Sequence, residues 1–474
     1  MRSIHITCGI VALMALGGCR SLSTQVSIAE RPVPRSFNTS VDTTTIARMN
    51  WRRYFADTVL VHLIDTALKS NPDVQVALQR IEMARAGMRE AKGALFPEIG
   101  LSAEGGLTKH GTYTVDGASN EGLEVAPGRI LPENEPELFT GLEASWQVDI
   151  AGRLRNQRRA AVAHYLASVE GTNFVITELV AGVANAYYDL VALDNEMDIV
   201  QRAIVKRKEA LDVITMRKET GRADELEVQR FTAELFNVQA REKEVQQRIR
   251  ETENLLNFLL GRYPQPIARD RAALHAGVPE RIASGVPSQL LEDRSDIREA
   301  AQRVQASKFS LHAAKAEFYP SLRITAGLGY QAFDPSYLYL TPASLAYNVV
   351  GGLAAPLINR SAIQARFNEA RAEQVSAMYE YQRTILNGVM EVSNELSNIT
   401  NLQQMDSLKT RQSEVLTRAI DTSTELYRAS RVGYLDVLLA QQSALEAQLE
   451  LVDTERHLRF AMVNVYKALG GGWR

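Results

Sequence analysis

The sequence predicts a mainly α-helical protein with a membrane β-barrel component, assembled from two copies of one structural unit. Three observations predict it: a long internal duplication, four stretches of strict apolar–polar alternation, and two very long runs without proline. In the first unit Asp73 is followed by Gln79-Arg80, Ala91-Lys92 and Phe96-Pro97. The same spacing returns as Asp296, Gln302-Arg303, Ala314-Lys315 and Tyr319-Pro320. The units also close alike, because Leu226-Glu227-Val228 leads to Leu260-Gly261 as Leu435-Asp436-Val437 leads to Leu469-Gly470. A period of roughly 210 to 220 residues is far longer than the repeats of a solenoid, so it implies pseudo-symmetry within one large body.

The first segment is an address. Residues 1–18 have Arg2 near the start, the apolar stretch Ile10-Val11-Ala12-Leu13-Met14-Ala15-Leu16, and then Gly17-Gly18-Cys19, the plan of a cleavable export signal. Leu16-Gly17-Gly18-Cys19 resembles a bacterial lipobox. Cleavage before Cys19 would leave its thiol and new amino group to carry the several acyl chains that stable anchoring requires. Cys8 leaves with the signal and Cys19 takes lipid, so no disulfide is expected despite an oxidising compartment. Arg20, rather than an aspartate, follows the cysteine, which favours the outer membrane.

With 45% hydrophobic residues, 23% charged residues and a formal charge of −3, the chain can build a substantial core and has no basic excess for nucleic acid. After the signal no unbroken run of about 18 apolar residues offers a transmembrane helix. A membrane crossing must then use strands, and four segments fit. Over 98–108 one face carries Ile99, Leu101, Ala103, Gly105 and Leu107, the other Gly100, Ser102, Glu104, Gly106 and Thr108. The stretch 138–149 alternates likewise, and Leu322, Ile324, Ala326, Leu328 and Tyr330 make a third face within 321–331. Leu345, Tyr347, Val349, Gly351 and Leu353, within 344–355, make the fourth. Each is about the 9 to 11 residues that a tilted barrel strand needs.

Helices are expected for most of the rest. From Ala151 to Glu219 and from Ser361 to Ser430 there is no proline, and each run of about 70 residues would measure on the order of 100 Å as an α-helix. Each reaches a turn, Gly221-Arg222-Ala223 or Ser430-Arg431-Val432-Gly433, and a returning helix of half that length. Helices over Thr58–Leu95 and Asp293–Phe318 would fill the other half. The first returning helix carries a heptad seam of Val228, Phe231, Leu235, Val238, Val245, Ile249, Leu256 and Leu259, interrupted by Glu242 and Thr252. In the second the seam is smaller: Val437, Ala440, Ala444, Ala447, Leu451, Thr454, Leu458, Ala461, Val465 and Ala468. Such stripes are read as packing.

The residues now resemble a known family. Trp51 with Asn71-Pro72-Asp73, Gly285-Val286-Pro287-Ser288 with Leu290-Leu291, Arg294 and Asp296, Tyr434-Leu435-Asp436-Val437, and the ending Ala468-Leu469-Gly470-Gly471-Gly472-Trp473 are similar to the TolC-like outer-membrane efflux family, in its lipoprotein branch of OprM/NodT-like outer-membrane factors. Two departures are Ser295, where proline usually precedes Asp296, and Ser430, where a glycine is common.

The resemblance implies a homotrimer. Four strands cannot close a barrel alone, and an open edge in lipid leaves backbone groups unpaired at several kcal/mol each. Two chains would give a filled eight-stranded barrel and three a twelve-stranded one with a lumen. The family choice is three, with antiparallel helices forming a periplasmic tunnel. The expected divisions are a signal at 1–18, a lipidated extended segment at 19–57, repeats at 58–261 and 293–474, and a linker at 262–292. Resemblance also implies passive export of small molecules, driven by an inner-membrane pump through a periplasmic adaptor. The alternatives are a protein-secretion channel on the same plan, or a lipid-anchored coiled-coil scaffold without a pore.

No catalytic residue, cofactor or metal site is expected. The chain has no Gly-x-Ser-x-Gly, His-Glu-x-x-His or phosphate-binding glycine loop, and His62, His110, His164, His275, His312 and His457 are scattered. The resemblance implies that the functional residues lie at the two turns. Gly221, Arg222, Ser430, Arg431 and Gly433 are the expected adaptor-docking turns. Glu227 and Asp436 follow Leu226 and Leu435 in matching positions, and threefold symmetry would repeat each acid around one opening, where crowded like charges are costly. The family resemblance implies a gate here, with Asp436 as an acidic ring, Tyr427 opposite Glu227, and Leu435 as an apolar constriction.

Overall fold

The structure, a computed structural model, describes residues 23–29, 31–37, 43–120, 122–126, 128–275, 282–358 and 360–474, so the expected signal and Cys19 lie outside the described residues. The principal elements are α1 (Thr58–Ser70), α2 (Pro72–Gly93), β1 (Glu98–Thr108), β2 (Glu135–Val148), α3 (Arg153–Glu219), α4 (Glu225–Leu259), α5 (Ser295–Ala316), β3 (Ser321–Ala332), β4 (Leu345–Ala354), α6 (Ser361–Arg428) and α7 (Tyr434–Ala468). Each half thus runs through one or two helices, two strands, a helix of 67 or 68 residues and a return of 35. The strands and the long helices begin and end within a few residues of their expected bounds.

One expected helix is two. The sequence over Thr58–Leu95 reads as one helix, but Pro72 lacks the amide that would continue it and biases Asn71 to an extended backbone (φ −66°, ψ 126°). Asn71 serves both ends. Its backbone N–H closes α1 on the Ala67 carbonyl at 2.8 Å. Its side-chain Oδ1 accepts from the Asp73 and Val74 amides at 2.8 and 3.2 Å, capping α2 behind a proline in the favoured first position.

The chain divides into two compact units. The first comprises the sheet with the helix segments 83–93, 153–165, 302–316 and 361–379, joined by 23–29. Its sheet is a four-stranded antiparallel meander in the order β1-β2-β3-β4. Leu311, Phe367 and Ala370 form a small core there, completed by Val26, Ala314 and Phe318, with the Phe318 and Phe367 rings edge to face at 6.0 Å. The second unit holds the remaining helices and the linker. Its largest core gathers Trp51, Leu60, Ile64, Leu179, Val183, Tyr187, Leu190, Leu256 and Leu260 around α3. One window of α3 is apolar enough to cross a membrane by composition, and more than half of it is buried in the chain's own packing.

The duplication is visible atom by atom in the second unit. Gly261 (φ +65°) lies so close over the Ser70 carbonyl that a β-carbon would meet it, with Ser70 C at 2.8 Å, and Gly470 (φ +95°) lies the same way over Asp293, whose O and C would be 2.5 and 2.6 Å away. In the first copy the Asn71 amide donates to the Leu259 carbonyl at 2.9 Å; in the second, Arg294 Nη1 donates to the equivalent Ala468 carbonyl at 2.8 Å. The backbone junction is kept while the side chain that fastens it has changed. Arg294 also forks onto Asp296 at 3.0 and 2.7 Å and reaches Glu391 at 2.7 Å, so its buried charge is paired.

Both predicted seams are packed. Phe231, Leu235, Val238, Val245 and Leu256 are buried on α4, as are Val437, Ala444, Ala447, Thr454, Leu458, Ala461, Val465 and Ala468 on α7. The interruption at Thr252 is also buried, and its hydroxyl bonds Asp189 Oδ2 at 3.0 Å.

Candidate functional site

In the first unit, the register of the sheet decides which residues share a face. Cross-strand pairs align Leu101, Leu142, Leu328 and Tyr347 in one row, and Ile99, Ala144, Ala326 and Val349 in the next. Trp146, Ile324 and Gly351 make a third row, and Val148, Leu322 and Leu353 a fourth. Because alternate residues point to opposite faces, the four apolar faces read from the sequence coincide on one side. That side is bare: Leu101 is 82% exposed, Tyr347 80% and Val349 72%. A continuous apolar band of this extent marks a surface built for contact with lipid or protein.

The opposite face aligns Gly100, Glu143, Gly327 and Asn348, then Ser102, Gly141, Gly329 and Ala346, then Glu104, Phe139 and Gln331. It lines a concavity of about 410 Å³ with Glu104, Glu137, Phe139, Glu143 and Gln331. Gln331 donates to Glu137 across the strands. Gly141 and Gly329 face each other so closely that a β-carbon on either would lie 2.5 or 2.6 Å from the other's Cα, and the Phe139 ring covers both. Among the described residues β1 and β4 each pair with one neighbour only, so both outer edges keep unpaired backbone groups.

In the second unit, the two turns are built alike. Gly221 (φ +70°) ends α3, with its amide on the Lys218 carbonyl at 3.0 Å and the Arg222 amide on Arg217 O at 2.8 Å. Ser430 (φ +56°) ends α6 in the same way, with its amide on Tyr427 O and the Arg431 amide on Leu426 O, both at 2.9 Å. This left-handed ending favours glycine, so Ser430 holds its conformation at a cost of about 1 kcal/mol or more. The turn at Ser430, where a glycine is common, therefore keeps the ordinary shape.

Each return then starts on an acid. Asp224 Oδ1 accepts from the Glu227 amide at 2.8 Å and Glu227 Oε2 accepts from the Asp224 amide at 3.3 Å, a complete capping box. Asp436 Oδ2 accepts from the Gly433 amide at 3.0 Å, the one arm a glycine leaves possible. Glu227 and Asp436 thus occupy equivalent positions, as expected, and each hydrogen-bonds the start of its own helix. Asp436 is exposed, Glu227 half-buried, and Leu435 is 49% exposed.

Tyr427 is not hydrogen-bonded to Glu227. Its ring meets Tyr434 edge to face at 4.8 Å and lies under the Arg217 guanidinium at 4.4 Å. Tyr434 packs in turn on Phe231 at 4.2 Å, with Ile214, Val437 and Leu438 closing a small core. Burial pushes the Tyr434 phenol up, Tyr427 and Glu227 add to the shift, and Arg217 opposes it. Tyr427, Glu227, Tyr434 and Arg217 are therefore one electrostatic neighbourhood. Tyr434 and Arg217 were not singled out from the sequence as site residues, since a seam-flanking aromatic and a last-turn arginine carry no distinguishing spacing. Lys218 pairs with Glu225 across the first turn.

Comparison with known proteins agrees with this fold. The family model described as "Outer membrane efflux protein" matches residues 63–262 and 286–471. The cation efflux system protein CusC of Escherichia coli O6:H1 is 27% identical over 469 residues, covering 97% of each chain. The probable outer membrane lipoprotein SilC of Salmonella typhimurium is 25% identical, covering 98% of each. A crystal structure of CusC, described in terms of folding and transmembrane channel formation, superposes with a TM-score of 0.80 at 25% identity, over 94% of this chain and 99% of that one.

Proposed function

We propose that this chain, which belongs to the outer membrane efflux protein family, closes a shared barrel with two further copies of itself and forms a passive conduit for small molecules. It is an outer-membrane efflux component, of a family of channels rather than of enzymes. The observation that carries the barrel is the sheet: one apolar face bare, one polar face concave, and two edges unpaired. In lipid such edges are untenable, and pairing β1 of one copy with β4 of the next removes all of them at once. Three copies give twelve strands and room for a lumen on the side of Glu104, Glu143 and Phe139.

Energy would come from an inner-membrane pump, coupled through a periplasmic adaptor that docks at the turns of Gly221, Arg222, Ser430, Arg431 and Gly433. The gate would lie beside them. Asp436, exposed and charged, is the residue best placed to form an acidic ring; Leu435 would narrow the opening, and Glu227 with Tyr427 would act across subunits. Lipid on Cys19 would tether the assembly to its membrane. One relative is named for cation efflux, so cations are reasonable first substrates to test.

The decisive experiment is single-channel recording in planar bilayers, with mass measurement in mild detergent. A trimer with discrete conductance steps is expected. A monodisperse monomer with native strand content, or a trimer that never conducts, would favour the scaffold. Copurification with a small-molecule or cation pump and its adaptor, rather than with an ATP-driven protein exporter, separates the two channel readings.

A further inference from the structure

The first unit carries a charge excess that the whole chain hides. Its helix segments, 83–93, 153–165, 302–316 and 361–379, hold twelve arginines and lysines against three glutamates, although the chain as a whole has a formal charge of −3. On α2, Arg85, Arg89 and Lys92 share one face, as Lys308, His312 and Lys315 do on α5, and α3 adds Arg158 and Arg159. These surfaces adjoin. The Arg85 guanidinium lies 5.8 Å from the centre of the Tyr165 ring of α3, and Arg159 of α3 lies 5.8 Å from that of Phe309 on α5. Burial lowers the hold of His312 on a proton, and Lys308, Lys315 and Arg159 lower it further. Arg89, Lys92, Arg158, Lys308 and Lys315 make no ion pair among the described residues, and all but the half-buried Lys315 are exposed. Like charges gathered in this way repel, and an anion supplied from outside relieves them.

Their position selects the anion. α2 ends five residues before β1, α3 starts five after β2, and α5 ends five before β3. At 1.5 Å per residue, all of these cations lie within about 12 Å of a helix end that meets the sheet. The sheet bares the apolar side of Leu101, Tyr347 and Val349. With that side in lipid, these helix ends stand near the depth of the headgroups, where long basic side chains reach phosphate. The anchor agrees. Val26 packs with Leu311 on α5 and is seven residues from Cys19, so at most about 25 Å of chain separates it from a lipid on that cysteine.

We propose that this basic surface, with Arg159, Lys308 and Lys315 at its centre, binds the anionic phospholipid headgroups of the leaflet that faces the periplasm. The proposal rests on the barrel reading above, which sets the sheet in lipid.

The test titrates full-length protein in mild detergent with phosphatidylglycerol, phosphatidylcholine or inorganic phosphate, and counts bound lipid by native mass spectrometry. The wild type should retain phosphatidylglycerol at least about tenfold more tightly than phosphatidylcholine, and added salt should erode the preference. Arg159→Gln, Lys308→Gln and Lys315→Gln should each weaken phosphatidylglycerol about fivefold and leave phosphatidylcholine unchanged. Lys308→Arg and Lys315→Arg keep the charge and should keep the preference, which leaves the proposal decidable if a glutamine variant fails to fold. Lys208→Gln and Lys243→Gln, exposed on α3 and α4 in the other unit, should behave as the wild type. An equal hold on both lipids, a preference that survives the three neutral variants, or an equal loss in the two controls would overturn the surface. Displacement of the lipid by an equal concentration of inorganic phosphate would assign it to a free anion instead and overturn the lipid assignment. Bilayer recordings report the barrel separately: wild-type conductance steps without a lipid preference sink this proposal alone, whereas their absence sinks the barrel on which it rests.

Discussion

Replacing Gly470 by alanine tests the junction that the two halves share. The residue sits at φ +95°, and an added β-carbon would lie 2.5 Å from Asp293 O, 2.6 Å from Asp293 C and 2.9 Å from Arg294 N. These atoms cannot easily give way. Asp293 is held by Arg48 Nε at 3.0 Å and Arg474 Nη2 at 2.9 Å, and Arg294 by Asp296, Glu391 and the Ala468 carbonyl. A left-handed backbone without glycine costs about 1–2 kcal/mol and forced overpacking about 1–3 kcal/mol more, so Gly470→Ala should destabilise by about 2–5 kcal/mol. For a chain of 474 residues, unfolding with an entropy of about 2.1 cal/mol/K per residue, that is a fall in melting midpoint of roughly 2–5 °C, read by circular dichroism on detergent-purified protein. The control is Gly87→Ala in α2, where a β-carbon meets nothing within 4 Å and no left-handed φ is needed; it should be neutral or stabilising by up to about 1 kcal/mol. If Gly470→Ala melts with the wild type, the close approach is not a constraint and the shared junction is not what holds the halves in register.

Four further outcomes are expected. Asn71→Ala removes the cap of α2 and the bond to the Leu259 carbonyl, and should cost about 2–4 kcal/mol, with amides at the start of α2 losing protection first. Asp436→Asn keeps an acceptor for the Gly433 amide while deleting the charge, so cation selectivity and block by multivalent cations should drop; an unchanged reversal potential would remove Asp436 from the pore. Tyr427→Phe with Glu227→Ala should raise resting conductance, and wild-type currents in that double variant would mean the constriction is built from other residues. Cys19→Ser should abolish acyl labelling of the protein; labelling that persists would end the lipobox reading.

The sequence made the strands legible for a reason that also limited it. Alternation at period two requires only that one face be apolar, so 98–108 could be read to its ends and agrees with β1. The start of β2 could not, because Glu135, Pro136 and Glu137 break the apolar pattern although their backbone still pairs with β1. The helix break at Asn71 was written in the sequence as Asn-Pro, but a helical pattern on both sides masked it. The hairpin tips were legible as turns through Gly221, and Ser430 stands where the same φ is required without the residue that advertises it.

Side-chain partnerships were the least legible part, and the duplication explains why. Equal spacing reports equal backbone, so it foresaw the equivalence of Glu227 with Asp436, yet it says nothing of what fastens each copy. One junction is held by an asparagine amide and the other by a guanidinium with two carboxylates, on equivalent carbonyls. The same divergence appears in the seams, where Phe231, Leu235 and Val238 on α4 correspond to the small residues Ala440, Ala444 and Ala447 on α7. A backbone repeated twice but packed with large residues in one copy and small ones in the other cannot be twofold symmetric in its interior. The two hairpins of each chain are therefore packed inequivalently, and under the proposed gate the small-residue seam of α7, where helices can approach at low steric cost, is the side on which movement is expected.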